Sequence, residues 1–178
     1  MTILREATNA KHREVESLPM IQCIMNGPTV EQYVHYLFEL QEIYRVIELA
    51  ARSAGITNDL PGIERYERIT EDLKELNPNY TRELMPSTKK YIDHIWATAY
   101  HHPNLLLAHV YVRHMGDLYG GKLMARVIPG SGRAYQFDDR PGIIKAFNDK
   151  LTMDLADEAN LAFDYFIQIF DELYKSQN

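Results

Sequence analysis

Cysteine is almost absent from this chain. Cys23 stands alone among 178 residues, so neither an intramolecular disulfide nor a cysteine-based zinc cluster can form. That removes the disulfide-stapled secreted scaffolds and points to a reducing compartment, with the cytoplasm as the expected location. Long apolar runs are absent as well: no window reaches the ~18 residues of a membrane span, and Met1-Thr2-Ile3-Leu4-Arg5-Glu6 holds no signal core. The expectation is a soluble protein with no membrane partner. Positive charge is in deficit, 19 Lys and Arg against 25 Asp and Glu for a net charge of −6, which disfavours the basic face that nucleic-acid binding needs. Common catalytic signatures are missing too. There is no His-Glu-x-x-His, no Walker loop and no Gly-x-Ser-x-Gly. No histidine has a carboxylate three residues before it, so the paired Glu-x-x-His ligands of di-iron bundles are absent. Cys23 has no neighbouring His, Lys or Arg to activate it and reads as a buried structural thiol.

What is present is an average globular composition, 46% hydrophobic and 25% charged, at a length that usually makes one domain, here 1–178. The eight prolines fall mainly between periodic segments and mark joints. A first helix is expected over about residues 2 to 17, stopping before Pro19, with a short apolar segment from Met20 to Met25 ended by Asn26-Gly27-Pro28. Thr29 and Gln32 have capping-box spacing, and Tyr33, Leu37, Leu40, Tyr44, Ile47 and Ala51 recur at steps of three and four before Gly55. That pattern predicts one long amphipathic helix. Further helices are expected over about 63 to 76, from an N-cap Ser87 to Tyr100, and from Asn104 through Met124 or beyond. An extended piece is expected around Arg133 to Phe137, then a helix opened by Pro141 and a last one over about 155 to 175. The fold class is all-α, with roughly seven or eight helices and any function built between facing helices.

One helix contains a contradiction. Gly116, Gly120 and Gly121 lie inside it, each about 1 kcal/mol worse than Ala, so roughly 3 kcal/mol is given up out of a net stability of about 5 to 15 kcal/mol. Such glycines permit a bend, the close approach of a flat ligand, or tight packing of another helix through 116 and 120; the packing reading leaves the third glycine unexplained. Arg113 and Asp117, four apart, share a face of the same helix. As a surface pair they would contribute only about 0.2 to 0.5 kcal/mol, which makes a functional carboxylate the alternative. His12 and Glu16 have the same spacing, which lets the carboxylate orient a metal-ligating imidazole from behind. With seven histidines in the chain, spacing alone does not single out His12.

Three stretches combine these features. They are Leu4-Arg5-Glu6-Ala7-Thr8 leading to Lys11-His12-Arg13-Glu14-Val15-Glu16; Ala108-His109-Val110-Tyr111-Val112-Arg113-His114-Met115-Gly116-Asp117-Leu118-Tyr119-Gly120-Gly121; and Glu158-Ala159-Asn160-Leu161-Ala162-Phe163 with Ile167-Gln168-Ile169-Phe170-Asp171-Glu172-Leu173. On these residues the chain resembles the heme oxygenases, whose proximal, distal and final helices they match in order over nearly the whole length. The resemblance implies heme b, with its iron, as both cofactor and substrate, held between the first helix and the glycine-containing distal helix. His12 would be the axial iron ligand, with Glu16 bonded to its other ring nitrogen. Gly116 and Gly120 would let the distal helix lie close over the porphyrin, Gly121 would join them in cofactor binding, and bound heme would offset the stability they give up. Tyr44, Arg113 and Asp117 would form the catalytic hydrogen-bond network, with Asp117 holding ordered water that delivers a proton to dioxygen. Tyr111 would face the pocket near a propionate, Phe163 and Phe170 would line it, and Arg5 would pair with a propionate.

The implied reaction uses molecular oxygen to cleave heme to biliverdin, IX-alpha by the family default, with carbon monoxide and ferrous iron. With no flavin or iron–sulfur motif in the chain, electrons must come from a partner, ferredoxin first and a flavoprotein reductase second. Lys11, Arg13, Lys122 and Arg126 would supply a basic docking patch, and a bilin reductase would take the product. Some positions depart from the family pattern. Tyr119 stands where a small polar residue is common, and Phe166 where a polar member of the water network lies. The downstream propionate anchors align with Asn148 and Thr152, leaving Lys150 or Lys145 as substitutes. The chain ends at Gln177-Asn178 without the hydrophobic anchor of membrane-bound members, in keeping with a soluble protein. Two other classes stand beside this one: a carrier that binds heme without degrading it, which needs His12 but no proton delivery, and a thiaminase-like all-α enzyme, which needs a catalytic cysteine and pocket acids not assignable here.

Overall fold

Proline at the joints and apolar residues at helical spacing divide the chain into rods. The computed structural model describes residues 3–177. Within them lie α1 (Ile3–Glu16), α2 (Pro19–Met25), α3 (Val30–Ser53), α4 (Tyr66–Leu76), α5 (Pro86–His101), α6 (Leu106–Val110), α7 (Gly116–Met124), α8 (Arg140–Asn148) and α9 (Ala156–Ser176). A π-helical turn, Tyr111–Met115, joins α6 to α7, so these three run on as one rod and the described residues form eight rods. No strand occurs among the described residues. The all-α expectation holds.

Helix α3 is the centre. It opens on the expected capping box, in which the Thr29 hydroxyl accepts from the Gln32 N–H and the Gln32 side chain accepts from the Thr29 N–H. The stripe Tyr33, Leu37, Leu40, Tyr44, Ile47 and Ala51 is buried, but so are Val34, Tyr36, Ile43, Val46 and Ala50 on other faces. Helices α4, α5 and α6 all pack on it, and with burial on several of its faces it is a core helix rather than a one-faced amphipathic one. Each large apolar side chain withdrawn from water contributes roughly 1.5 to 3 kcal/mol before entropy is charged against it.

Three local expectations are corrected by tertiary contacts. Helix α5 starts at Pro86, two residues before an N-cap at Ser87 would allow, because proline suits the first turn; Ser87 is not its cap, and the Ser87 N–H donates instead to Glu172 at 3.0 Å. The piece around Arg133 is a 3₁₀ turn, Arg133–Tyr135, not an extended segment. Its leading N–H groups, of Arg133 and Ala134, both donate to the buried Asp72 carboxylate at 2.9 Å, which fixes the helical turn. Pro19 ends nothing further than α1; it occupies the first turn of α2, where Cys23 is half-buried rather than buried.

Helix α1, which carries His12, is propped by α9. Lys11 pairs with Asp164 at 2.7 Å, the Asn160 amide donates to the Ala7 carbonyl at 3.3 Å, and Phe163 meets the His12 ring edge-on at 6.1 Å between centroids. The placement of the first helix therefore depends on residues some 150 positions later in the chain.

Candidate heme-binding and catalytic site

The distal rod α6–π–α7 carries the densest polar chemistry. Its π turn widens the backbone by one residue per turn, a feature that concentrates at functional sites. Two contacts hold that turn from α3. His114 donates from Nε2 to Glu48 Oε1 at 2.9 Å, and Glu48 also accepts the Tyr66 N–H at 3.1 Å, so one buried carboxylate ties the π turn to the start of α4. Arg113 is the second: its guanidinium lies 4.4 Å from the Phe166 ring centre and 5.2 Å from that of Tyr44, and its Nη2 donates to the Tyr44 hydroxyl at 3.0 Å.

The Tyr44 hydroxyl in turn donates to Asp117 Oδ2. Arg113, Tyr44 and Asp117 thus form one chain, drawn from α3, the π turn and α7. Burial pushes the Asp117 carboxyl above its usual range, against the pull of Arg113 and the Tyr44 hydrogen bond. Burial likewise raises Tyr44, which keeps its proton and remains a donor. An acid whose protonated form is favoured by burial, with a neutral phenol and a fixed cation behind it, is placed to hold and hand on a proton. Phe166, placed by the resemblance at a polar position, covers the Arg113 guanidinium instead of joining a hydrogen-bond network.

The three glycines divide by surroundings. A Cβ added at Gly116 or Gly120 would meet nothing within 4 Å, whereas one at Gly121 would lie 3.0 and 3.1 Å from the Tyr135 side chain. Gly121 is the packing glycine, seating the rod on the 133–135 turn. Gly116 and Gly120, one turn apart, leave bare backbone facing open space. This is the cradle a flat ligand requires, because side chains there would hold it off the helix.

On α1 the His12 side chain is 43% exposed, and its Nδ1 lies 3.5 Å from Glu16 Oε1, itself 64% exposed. That contact leaves Nε2 for a ligand. Tyr111 is half-buried, with its hydroxyl 3.5 Å from Thr8 Oγ1, so α1 meets the distal rod one turn before His12. Arg5 is exposed near the start of α1. Phe170 is in the core, stacked on Tyr36 at 6.0 Å and tilted against Phe166 at 5.6 Å, away from the His12 contact that Phe163 makes. Lys150 is bonded to Asp59 in the loop after α3. Lys145, Arg13, Lys122, Arg126 and Tyr119 are exposed, while Lys11 is tied to Asp164 and Glu14.

Some site residues carry no signal in the sequence. Arg140, at the head of α8, donates to the Leu118 carbonyl and, at 2.9 Å, to the Tyr135 carbonyl, stitching α7 to the turn that Gly121 packs on. His114 and Glu48 are 66 residues apart. No spacing rule links either set; only the fold does.

A family model described as heme oxygenase matches residues 1–147. The chain belongs to the heme oxygenase family. Among curated relatives, Heme oxygenase 2 of Synechocystis sp. is 28% identical, with 96% of this chain and 81% of the relative covered. Heme oxygenase 2 of Macaca fascicularis is 26% identical, and this chain spans 64% of it. The crystal structure of heme oxygenase-2 from Synechocystis in complex with heme and NO superposes with a TM-score of 0.84 at 27% identity, covering 96% of this chain and 83% of that one. The family match includes α1 and the whole distal rod; α9, which props α1, lies beyond its end.

Proposed function

We propose that this chain, acting as one domain over 1–178, is a heme oxygenase that binds heme between α1 and the distal rod. With dioxygen and external electrons it opens the ring to biliverdin IX-alpha, carbon monoxide and ferrous iron. The observation that carries this reading is the pairing, within one rod, of bare backbone at Gly116 and Gly120 with the Arg113–Tyr44–Asp117 chain. A heme carrier needs the cradle but not the proton-holding cluster. The same cradle, with a histidine on α1 left open at Nε2, fits the group that the Synechocystis structure contains.

When bound, heme supplies both the iron at which dioxygen is reduced and the porphyrin carbon that is oxidised. His12 would hold the iron through Nε2, with Glu16 steering the ring from Nδ1. Arg5 would pair with a propionate, Tyr111 would stand beside it, and Phe163 would close the apolar wall next to the His12 ring. Asp117 would hold and pass protons through ordered water, oriented by Tyr44, whose hydroxyl Arg113 keeps aimed at it. Phe166 over Arg113 keeps bulk water from that end of the chain. Electrons would come from ferredoxin docking on the exposed Arg13, Lys122 and Arg126, in the cytoplasm, and a bilin reductase would consume the product. No helix among the described residues is long and apolar enough to cross a membrane.

Hemin titration followed by reduction with a ferredoxin system in air tests the reading. The expected result is a Soret complex that turns over to biliverdin, identified by isomer. His12→Ala should abolish the imidazole-ligated spectrum. Asp117→Ala should keep the Soret band and lose ring opening. A stable Soret complex with no biliverdin would make the protein a heme carrier, and full biliverdin yield from Asp117→Ala would remove that residue from the mechanism.

A further inference from the structure

Behind the distal rod, on the side held by α5 and α9, three ligand-type side chains converge that the heme reading does not use. His94 comes from α5, His109 from α6 and Glu158 from α9. Their ligand atoms all lie within 4.8 Å of one another. Both imidazoles donate from Nε2 to the same oxygen, Glu158 Oε1, at 2.7 Å from His94 and 2.9 Å from His109. The Thr98 hydroxyl adds a third bond to that oxygen at 3.2 Å. His109 is fully buried, while the His94 and Glu158 side chains are 22% and 12% exposed, so the cluster has a closed inner end and a side open to solvent.

We propose that His94, His109 and Glu158 form a binding site for a divalent cation of the zinc class. Two imidazole nitrogens and one carboxylate oxygen from three separate elements are the donor set of an open tetrahedral site, with the fourth position left to water on the exposed side. An outer shell is already built. The Tyr91 hydroxyl lies 2.8 Å from His109 Nδ1 and fixes the ring so that Nε2 points at the cluster. The ion takes the place of the protons now shared with Glu158 Oε1, and each imidazole frees Nε2 by carrying its proton on Nδ1, which in His109 faces Tyr91. Tetrahedral ligands about 2.0 to 2.1 Å from zinc stand roughly 3.4 Å apart, so the two short contacts open by roughly 0.5 to 0.7 Å. The partly exposed His94 can supply that movement. A bound ion would join α5, the distal rod and α9, the helix that also props His12.

The test uses the heme-loaded protein, in which His12 is engaged, and the His12→Ala apo-protein, which lacks that histidine and does not depend on heme binding. Calorimetric titration with Zn²⁺ should show one equivalent bound in both. Co²⁺ added to His12→Ala should give the intense visible bands of a four-coordinate ion, discharged by Zn²⁺. Zn²⁺ at a hundredfold excess over its Kd should raise Tm by roughly 5 to 10 °C. His94→Gln should weaken binding by roughly 100-fold or more, and Tyr91→Phe, acting only through His109, by roughly 10-fold. His94→Arg keeps a donor to Glu158 while offering no ligand, so it should fold and still lose the Co²⁺ spectrum. The exposed neighbours His101 and His102 are the control, and their double alanine variant should bind as wild type. Absence of stoichiometric binding, survival of the Co²⁺ bands in both His94 variants, or their loss in the His101/His102 variant would overturn the site.

Discussion

Replacing the distal-rod glycines with alanine should split them into two kinds with opposite signs. At Gly116 and Gly120 an added methyl meets nothing within 4 Å. The substitution there gains helix propensity and narrows the unfolded ensemble, about 0.5 to 1 kcal/mol each. The Gly116→Ala/Gly120→Ala double variant of the heme-free protein should therefore be about 1 to 2 kcal/mol more stable, a rise in Tm of roughly 2 to 8 °C for a chain of this size. At Gly121 the same methyl would lie 3.0 and 3.1 Å from Tyr135. Tyr135 is buried and its turn is pinned by Asp72, so it cannot give way cheaply. Overpacking of about 1 to 3 kcal/mol cancels or exceeds the propensity gain, and Gly121→Ala should be neutral to destabilising. Heme reverses the order. Methyls at 116 and 120 intrude on the ligand's face, and an overpacking cost of about 1 to 3 kcal/mol weakens heme by roughly 5- to 150-fold. Thermal unfolding by circular dichroism and Soret titration read the two effects separately. A double variant that is less stable without heme, or that binds heme as tightly as wild type, would refute the division.

Two further outcomes follow from partly buried contacts away from the cradle. Arg140→Met removes the charge-assisted bonds to the Leu118 and Tyr135 carbonyls and should cost about 2 to 3 kcal/mol in urea unfolding; a loss below about 0.5 kcal/mol would mean that water replaces the guanidinium. His35 is held down to about 4 by burial and then by Arg82. Its folded value lies below its unfolded one, so its contribution is fully present above about 6.5 and is lost as pH falls through about 4, by at most about 3 kcal/mol. Glu39, raised by burial, has the opposite sign and offsets part of the loss. Stability measured across that window should fall with acid, and His35→Gln should flatten the slope; an unchanged slope would show that His35 is not the group responsible.

The line between what was legible early and what was not runs through particular residues. The long helix from Thr29 was legible because capping and apolar spacing are local rules, yet its burial on several sides was not, since that depends on which helices arrive later. The capping expectation at Ser87 failed for the same reason: Pro86 and Glu172 settle that terminus, and Glu172 is 85 residues away. Asp117 and Arg113 shared a face by periodicity, but the phenol that joins them comes from Tyr44 on another helix.

The amino-acid sequence by itself determined the all-α class, the chain joints, the interior glycines and the motifs that mark the heme oxygenase family, because propensity, capping and short motifs act within a few residues. Tertiary structure alone decided that Gly121 packs while Gly116 and Gly120 stay open. It also decided that Lys150 turns to Asp59 and that two of the seven histidines meet over one carboxylate. Those outcomes depend on which surfaces meet when the rods pack, and no spacing along the chain encodes a contact between residues that only packing brings together.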